Sequence, residues 1–205
     1  MPRTDVAEER KEQIVKATIH CITQHGYDNF SMQDVARKAG ISKGIIHYYF
    51  LNKDDLMMSV LENVSTRIEA SVLHTLEKYS GAEKRLQIFV EACLDTVQNT
   101  KEYYQVSFDF WSQVQQKTEV RNLFLSHYER LRKICSDILQ EGIHEKSFQN
   151  IDVSDFSNFI LSIIDGISLQ YLLNGSQVTF ECLSNIACRQ IMEGVLSSSS
   201  GTSTL

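Results

Sequence analysis

Between Ser31 and Lys53 the segment SMQDVARKAGISKGIIHYYFLNK gathers side chains suited to holding a polyanion. Lys43 and Lys53 bring ammoniums, His47 an imidazole, Tyr48 and Tyr49 phenols, and Ser31 and Ser42 hydroxyls, all of which donate hydrogen bonds. Gly44 adds an opening for close approach, and Ile45 either an apolar contact of the kind that meets a thymine methyl or a packed residue. Donors of this sort fix phosphates or read base edges in a DNA groove. The chemistry of turnover is missing beside them. The chain carries no Gly-rich phosphate loop, no GxSxG and no HExxH, and His20, His25, His74, His127 and His144 are dispersed rather than set at metal-ligand spacing. No catalytic set, metal site or cofactor is expected.

Such residues need rigid short helices to aim them. Ser31, Ser42 and Asn52 each have a side-chain oxygen that can accept from the free first-turn amides of a helix. Each is preceded by an apolar residue and followed by a second one five positions further on: Phe30 with Val35, Ile41 with Ile46, Leu51 with Leu56. That is the hydrophobic-staple arrangement. Asp34 and Asp55 lie three residues after their caps, where a carboxylate favours a helix N-terminus. The spacing predicts two short helices joined by a turn at Gly40, then a longer one, which is the outline of a helix-turn-helix whose second helix enters the major groove.

The net charge is −6, but it is unevenly spread. Through Lys53 there are eight Lys/Arg against six acids, and beyond it twelve against twenty. A basic head on an acidic body fits local polyanion binding. The charged N-terminus and the lack of any run of eighteen apolar residues predict a cytoplasmic protein. Five scattered cysteines, Cys21, Cys93, Cys135, Cys182 and Cys188, suit buried thiols. Pro2 is the sole proline, so nothing later interrupts helices.

The fold class expected is all-α, with about nine helices. Ile14, Ala17, Thr18, Cys21 and Ile22 trace one face of a helix over 8–25, capped by Gly26. Further helices are predicted over 54–79, 82–99, 101–115, from Thr118 to Gly142, 153–173 and 177–196. The helix over 153–173 is apolar on more than one side, which calls for cover on nearly all sides, either from a second copy or from within the same chain. A two-fold four-helix interface is therefore expected from Phe156, Phe159, Ile160, Ile163, Ile167, Leu183, Ile186 and Ile191. The predicted domains are a helix-turn-helix head over 1–53, a helical body over 54–196 and a disordered tail over 197–205.

The head resembles that of the TetR/AcrR family of bacterial transcriptional regulators. Ile14, Ala17, Gly26-Tyr27, Ser31, Val35-Ala36, Ala39-Gly40-Ile41-Ser42, Gly44, Ile46, Tyr48, Phe50, Lys53 and Leu56 carry the likeness in register with the caps and the turn. The family commonly has Tyr, any residue, His before the phenylalanine, where this chain has His47-Tyr48-Tyr49-Phe50. The resemblance implies a homodimeric repressor that binds double-stranded DNA at a palindromic operator and is released by a small molecule bound in the body. Within that frame Lys43 and Gly44 lead the reading helix, while Ser31, His47, Tyr48, Tyr49 and Lys53 are expected at phosphates. The small-molecule site is expected among residues 54–173, with Phe89, Tyr104, Phe108, Trp111, Phe124 and Tyr128 as lining and Asp109 or Asp165 as a negative pole. Aromatics with a carboxylate suit a cation, and a lipophilic acyl ligand fits equally. The alternatives from other classes are a helical protein–protein adaptor, and a regulator that activates rather than represses.

Overall fold

The computed structural model describes residues 3–26, 28–99, 101–111, 114–174 and 180–196. Its helices are α1 (Arg3–His25), α2 (Met32–Ala39), α3 (Lys43–Tyr49), α4 (Lys53–Leu76), α5 (Ala82–Asn99), α6 (Lys101–Trp111), α7 (Thr118–His144), α8 (Val153–Asn174) and α9 (Phe180–Val195). Among the described residues there is no strand, and one isolated bridge pairs Phe148 with Leu196. The helix starting at Asn52 ends at Leu76 rather than at 79, and the aromatic helix ends at Trp111 rather than at 115. The tail over 197–205 lies outside the described residues, as does Tyr27.

Packing divides the chain into two compact units, residues 1–67 with 100–127 and residues 68–99 with 128–205. This differs from the boundary expected at residue 53. α6 and the first part of α7 join the first unit because α6 packs on α1. α4 supplies its residues up to Arg67 to the first unit and the remainder to the second.

In the first unit α1 lies across α2, and α2 against α3. Ile14, Ile22, Val35, Ile46, Leu56, Val60 and Val64 have at most 1% of their surface accessible and form its centre. Each such side chain contributes roughly 1.5–3 kcal/mol by leaving water. Gln13 of α1 donates from Nε2 to the Ala39 carbonyl at 2.6 Å, which satisfies an end of α2 that helix geometry leaves open. On the outer side, Glu12 joins Lys16 at 3.0 Å and also Arg67 of α4. Lys16 and then Arg67 hold the Glu12 carboxyl below its usual value.

In the second unit α5 packs on α8 and α9, which also touch each other. Leu86, Phe89, Leu94, Ile138, Leu139, Ile160 and Ile191 are fully enclosed. Arg85 pairs with Glu141, and Arg130 with Glu69. Gly142 does not end its helix, as its type suggested. α7 continues to His144, and a Cβ on Gly142 would fall 2.1 Å from Cδ2 of Phe148. The Phe148 ring is 2% exposed and folds back over that glycine, while Gln149 N–H donates to the Val195 carbonyl at 2.8 Å. The polar loop over 144–152 is thus latched to the end of α9, and Lys146 takes the left-handed conformation (φ 61°) that lets the chain reverse.

Candidate functional site

The caps form at all three starts, but their details redistribute the expected roles. At α2, Ser31 Oγ accepts from Asp34 N–H at 3.3 Å, and Asp34 Oδ2 accepts from Ser31 N–H at 2.9 Å. This is a complete capping box. The Ser31 hydroxyl donates to Asp34 Oδ2 at 2.6 Å, so Ser31 shapes the helix start. Ser31's bonds hold the Asp34 carboxyl below its usual value, with a smaller contribution from Arg37. Arg37 itself pairs with Asp34 at 3.0 Å.

Gly40 ends α2 with φ 66° and ψ 31°, and its N–H points back to the carbonyls of Ala36 and Arg37. A left-handed residue here lets the chain turn sharply into α3. Ser42 Oγ then accepts from Ile45 N–H at 3.3 Å. At the third start Asn52 Oδ1 accepts from Asp55 N–H at 2.9 Å, and Asp55 accepts from Leu51 N–H at 2.9 Å. The third staple does not form. Leu51 is 83% exposed while Leu56 is fully buried, because Phe50 occupies the interior instead.

α3 is divided by its own geometry. Ile46 is fully buried and anchors the helix, and Phe50 is 4% exposed just past its end. Lys43, Gly44 and His47 are exposed, Tyr48 is 82% exposed, and Ile45 sits at the margin at 38%. Tyr49 is half-buried, and its ring meets Tyr48 edge-on with centroids 5.1 Å apart. The outer face therefore offers an ammonium, a bare backbone, an imidazole and a phenol from the first turn onward. Leu51, just past the helix, is exposed where the staple spacing predicts burial. The signal available was Phe50 competing for the same interior position.

Lys53 is half-buried and bonded within the head. Its Nζ donates to the Phe30 carbonyl at 3.0 Å and lies 4.0 Å above the centre of the Phe30 ring. Burial lowers its proton affinity, against the attraction of Asp28 and Asp54. Its neighbour Asp54 pairs with Lys117 at 2.6 Å.

The residues expected around a small molecule separate between the units. Tyr104, Phe108, Trp111 and Phe124 belong to the first, and Phe89, Tyr128 and Asp165 to the second. In the first, Phe108 and Trp111 stack tilted at 5.3 Å, Trp111 being 44% exposed. Burial, and then Asp28, raises the Asp109 carboxyl above its usual value. In the second, Phe89 is a fully enclosed core ring. Tyr128 Oη donates to Asp165 Oδ2 at 2.8 Å between α7 and α8. Burial raises Asp165 and outweighs the opposing pull of that hydrogen bond. Burial also pushes the Tyr128 phenol up, with Asp165 adding to it. Cys93 and Cys135 are buried in the same unit, the latter pushed up to about 12 by burial. Cys182 is exposed, contrary to the expectation for the cysteines.

The expected contact face of α8 and α9 is sorted in the same way. Ile160 and Ile191 have no accessible surface and Ile167 only 8%, so these three serve the chain's own core and are removed from the face. Phe159 (52%), Leu173 (73%) and Ile186 (43%) are exposed. Phe156, Ile163 and Leu183 are half-buried. Phe156 stacks on Phe159 at 5.6 Å and touches the backbone at Gly194, where a Cβ would lie 3.2 Å from its ring. Over 153–173 the mean hydropathy is 1.3, and 33% of the most apolar window is buried.

Comparison with known proteins settles the kind of molecule this is. Residues 14–60 match the profile of bacterial regulatory proteins of the tetR family, and residues 82–195 match that of the C-terminal domain of BetI-type transcriptional repressors. The chain belongs to the TetR family. It is a transcriptional regulator, not an enzyme, with a DNA-binding head and a C-terminal ligand-binding domain of BetI type. It is 25% identical over 177 residues to the HTH-type transcriptional regulator BetI of Escherichia coli O17:K52:H18, covering 85% of this chain and 88% of that one. The structure of a TetR regulator from Haloarcula marismortui superimposes with a TM-score of 0.85 at 25% identity, covering 93% of this chain and all of that one. A regulator from Saccharomonospora viridis, solved in complex with choline, superimposes with a TM-score of 0.83 over 93% of this chain and 99% of that one. At 21% identity that likeness speaks for the fold alone.

Proposed function

We propose that this TetR regulator is a cytoplasmic homodimeric repressor that holds a palindromic operator through paired α3 helices and leaves it when a small cation binds in the second unit. The observation that supports the DNA half of this reading is the one-sided exposure of α3. Ile46 is fully buried while Lys43, Gly44, His47 and Tyr48 face outward. Lys43 in the first turn suits guanine O6 and N7, and Ser42, His47 and Tyr48 suit phosphates. A single helix of seven residues makes few contacts, so specificity calls for two copies. The exposed Phe159, Leu173 and Ile186 on α8 and α9 are the side chains a second copy would cover.

For the ligand, the supporting observation is the Asp165 carboxylate, half-buried beside α7 and hydrogen-bonded to Tyr128. A partly buried carboxylate that has lost some of its hydration gains from a cation, and a phenol beside it adds a π face. A quaternary ammonium such as choline is the natural candidate, as the S. viridis regulator binds it. Release then follows from linkage: a ligand preferring the conformation with poorly spaced heads lowers DNA affinity by its differential affinity for the two states. α4 is the lever, being one unbroken helix that belongs to both units.

The test is fluorescence anisotropy with duplexes from the region upstream of the protein's own gene, with and without choline. Sequence-specific, salt-dependent binding that choline reverses supports the reading. No preference for any duplex would favour the adaptor alternative. Release by a fatty acyl thioester but not by choline would replace the cation with a lipophilic ligand.

A further inference from the structure

We propose that α9 packs against α9 of a second copy in an antiparallel register centred on Asn185. Glu181 of each chain then meets Arg189 of the other, and this double pairing selects the chain's own kind as its partner. The inference deepens the homodimer reading and rests on it.

α9 has two unlike sides. Ala187, Cys188, Ile191 and Val195 are buried within the second unit. On the other side Glu181, Cys182, Asn185, Ile186 and Arg189 line one shallow concave patch, and all five are exposed, Ile186 at 43%. The charges at its two ends are uncommitted. Of the arginines in the second unit, Arg85 pairs with Glu141, Arg130 with Glu69, and Arg132 donates to Asn158 at 2.6 Å. Arg189 and Glu181 make no ion pair among the described residues. The other acid of this helix, Glu193, accepts from Gln190 at 2.7 Å.

The spacing of those two charges is what chooses the occupant. In a two-fold contact, whatever residue i meets at position j, residue j meets at position i. Glu181 and Arg189 stand four positions before and four positions after Asn185. With the axis at Asn185 and the helices antiparallel, Glu181 falls opposite Arg189 of the second copy, and the pair forms twice. Parallel helices would set Glu181 against Glu181 and Arg189 against Arg189, and like charges repel. The two pairs lie about 12 Å apart along the helix. Ile186 sits between them, against the same residue of the second copy. Apolar contact at the centre thins the water around the flanking pairs, where opposite charges gain most.

The experiment uses the full-length chain and sedimentation velocity over a range of protomer concentrations. Glu181→Arg and Arg189→Glu each turn both pairs into like-charged ones, and each should weaken dimerisation by about tenfold or more. Mixed in equal amounts, the two variants should form a heterodimer within about threefold of the wild-type Kd, because both pairs are again opposite. The doubly swapped chain should likewise pair with itself. Mild oxidation with diamide gives a second readout that does not depend on charge. Cysteine at the axis, Asn185→Cys in a Cys182→Ser background, should link two chains. Native Cys182 should not, since its two copies would stand about 9 Å apart along the axis of helices already about 8–10 Å apart. Circular dichroism identifies a charge variant that fails to fold, and the cross-link then decides. A mixture no tighter than the single variants, or native Cys182 linking in place of Asn185→Cys, would overturn the register. Weakening by Arg189→Glu with Glu181→Arg unchanged would set Arg189 against another carboxylate and overturn it too. A dimer indifferent to all of these changes would leave the homodimer standing and remove α9 from its contact. A wild-type chain that stays monomeric would refute the homodimer reading, and this inference with it.

Discussion

Replacing Gly40 by alanine isolates the backbone geometry of the turn that aims α3. Gly40 has φ 66° and ψ 31°, and a Cβ built there meets nothing within 4 Å. The substitution therefore introduces strain without a clash. An L-residue in the left-handed region costs about 1–2 kcal/mol. Alanine also narrows the unfolded ensemble, which returns about 0.4–1 kcal/mol. The net loss expected is roughly 0.5–1.5 kcal/mol, or about 1–6 °C in melting temperature for a chain of this length. Gly40→Asn should lose less, because asparagine tolerates this conformation better than alanine. Urea denaturation of the full-length chain, followed by far-ultraviolet circular dichroism at one fixed protomer concentration, measures both variants. DNA affinity should fall in the same order, alanine below asparagine, since the turn sets where α3 points. A loss above about 3 kcal/mol would mean that a neighbour occupies the space and that the reasoning from an open site is wrong. Asparagine worse than alanine would equally sink it, because strain in the left-handed region predicts the reverse.

Further outcomes concern the two units separately. Lys43→Ala removes an exposed ammonium from the first turn of α3 and should cost about 1–3 kcal/mol per half-site in operator binding, with base preference relaxed at the contacted position; unchanged affinity and preference would remove Lys43 from the reading face. Asp165 binds its proton more tightly folded than unfolded, so the stability it confers is present below the ordinary carboxylate value and declines as pH rises through the raised one. Asp165→Asn, which keeps an acceptor for Tyr128, should therefore gain stability relative to wild type as pH rises across that window, and lose any response to choline. A variant-minus-wild-type difference in urea midpoint that stays flat with pH would argue against a partly desolvated charge there. Gly142→Ala gains about 1 kcal/mol in helix propensity but must displace the Phe148 ring, a clash worth about 1–3 kcal/mol. In a Phe148→Ala background the same change should become neutral or stabilising, and simple additivity of the two losses would show that ring and glycine do not meet.

Much of the head was legible because its information is local. The caps at Ser31, Ser42 and Asn52 and the turn at Gly40 depend on residues within four positions of one another, and each forms where the spacing placed it. Helix positions in the body followed from periodic apolar residues, with ends off by a few residues where no cap marks them. What the periodicity could not rank was which of several apolar residues on one helix takes the interior. Phe50 displaced Leu51, and Ile160 and Ile191 turned inward while Phe159 and Ile186 stayed exposed.

By itself, then, the sequence determined an all-α chain, a helix-turn-helix with its second helix at 43–49, and a family likeness carried by those same residues. Only the tertiary structure decided what Lys53, Ser31 and Gly142 do. Lys53 reaches back to Phe30, Ser31 donates to Asp34, and Gly142 makes room for Phe148. It also decided which residues pack as one unit and which candidate ligand residues share it, leaving Tyr128 and Asp165 together and Trp111 elsewhere. The physical reason is common to all of these. A cap or a periodic face is written in neighbouring residues, whereas the partner of a long or bulky side chain depends on which distant segment the fold brings within a few ångströms.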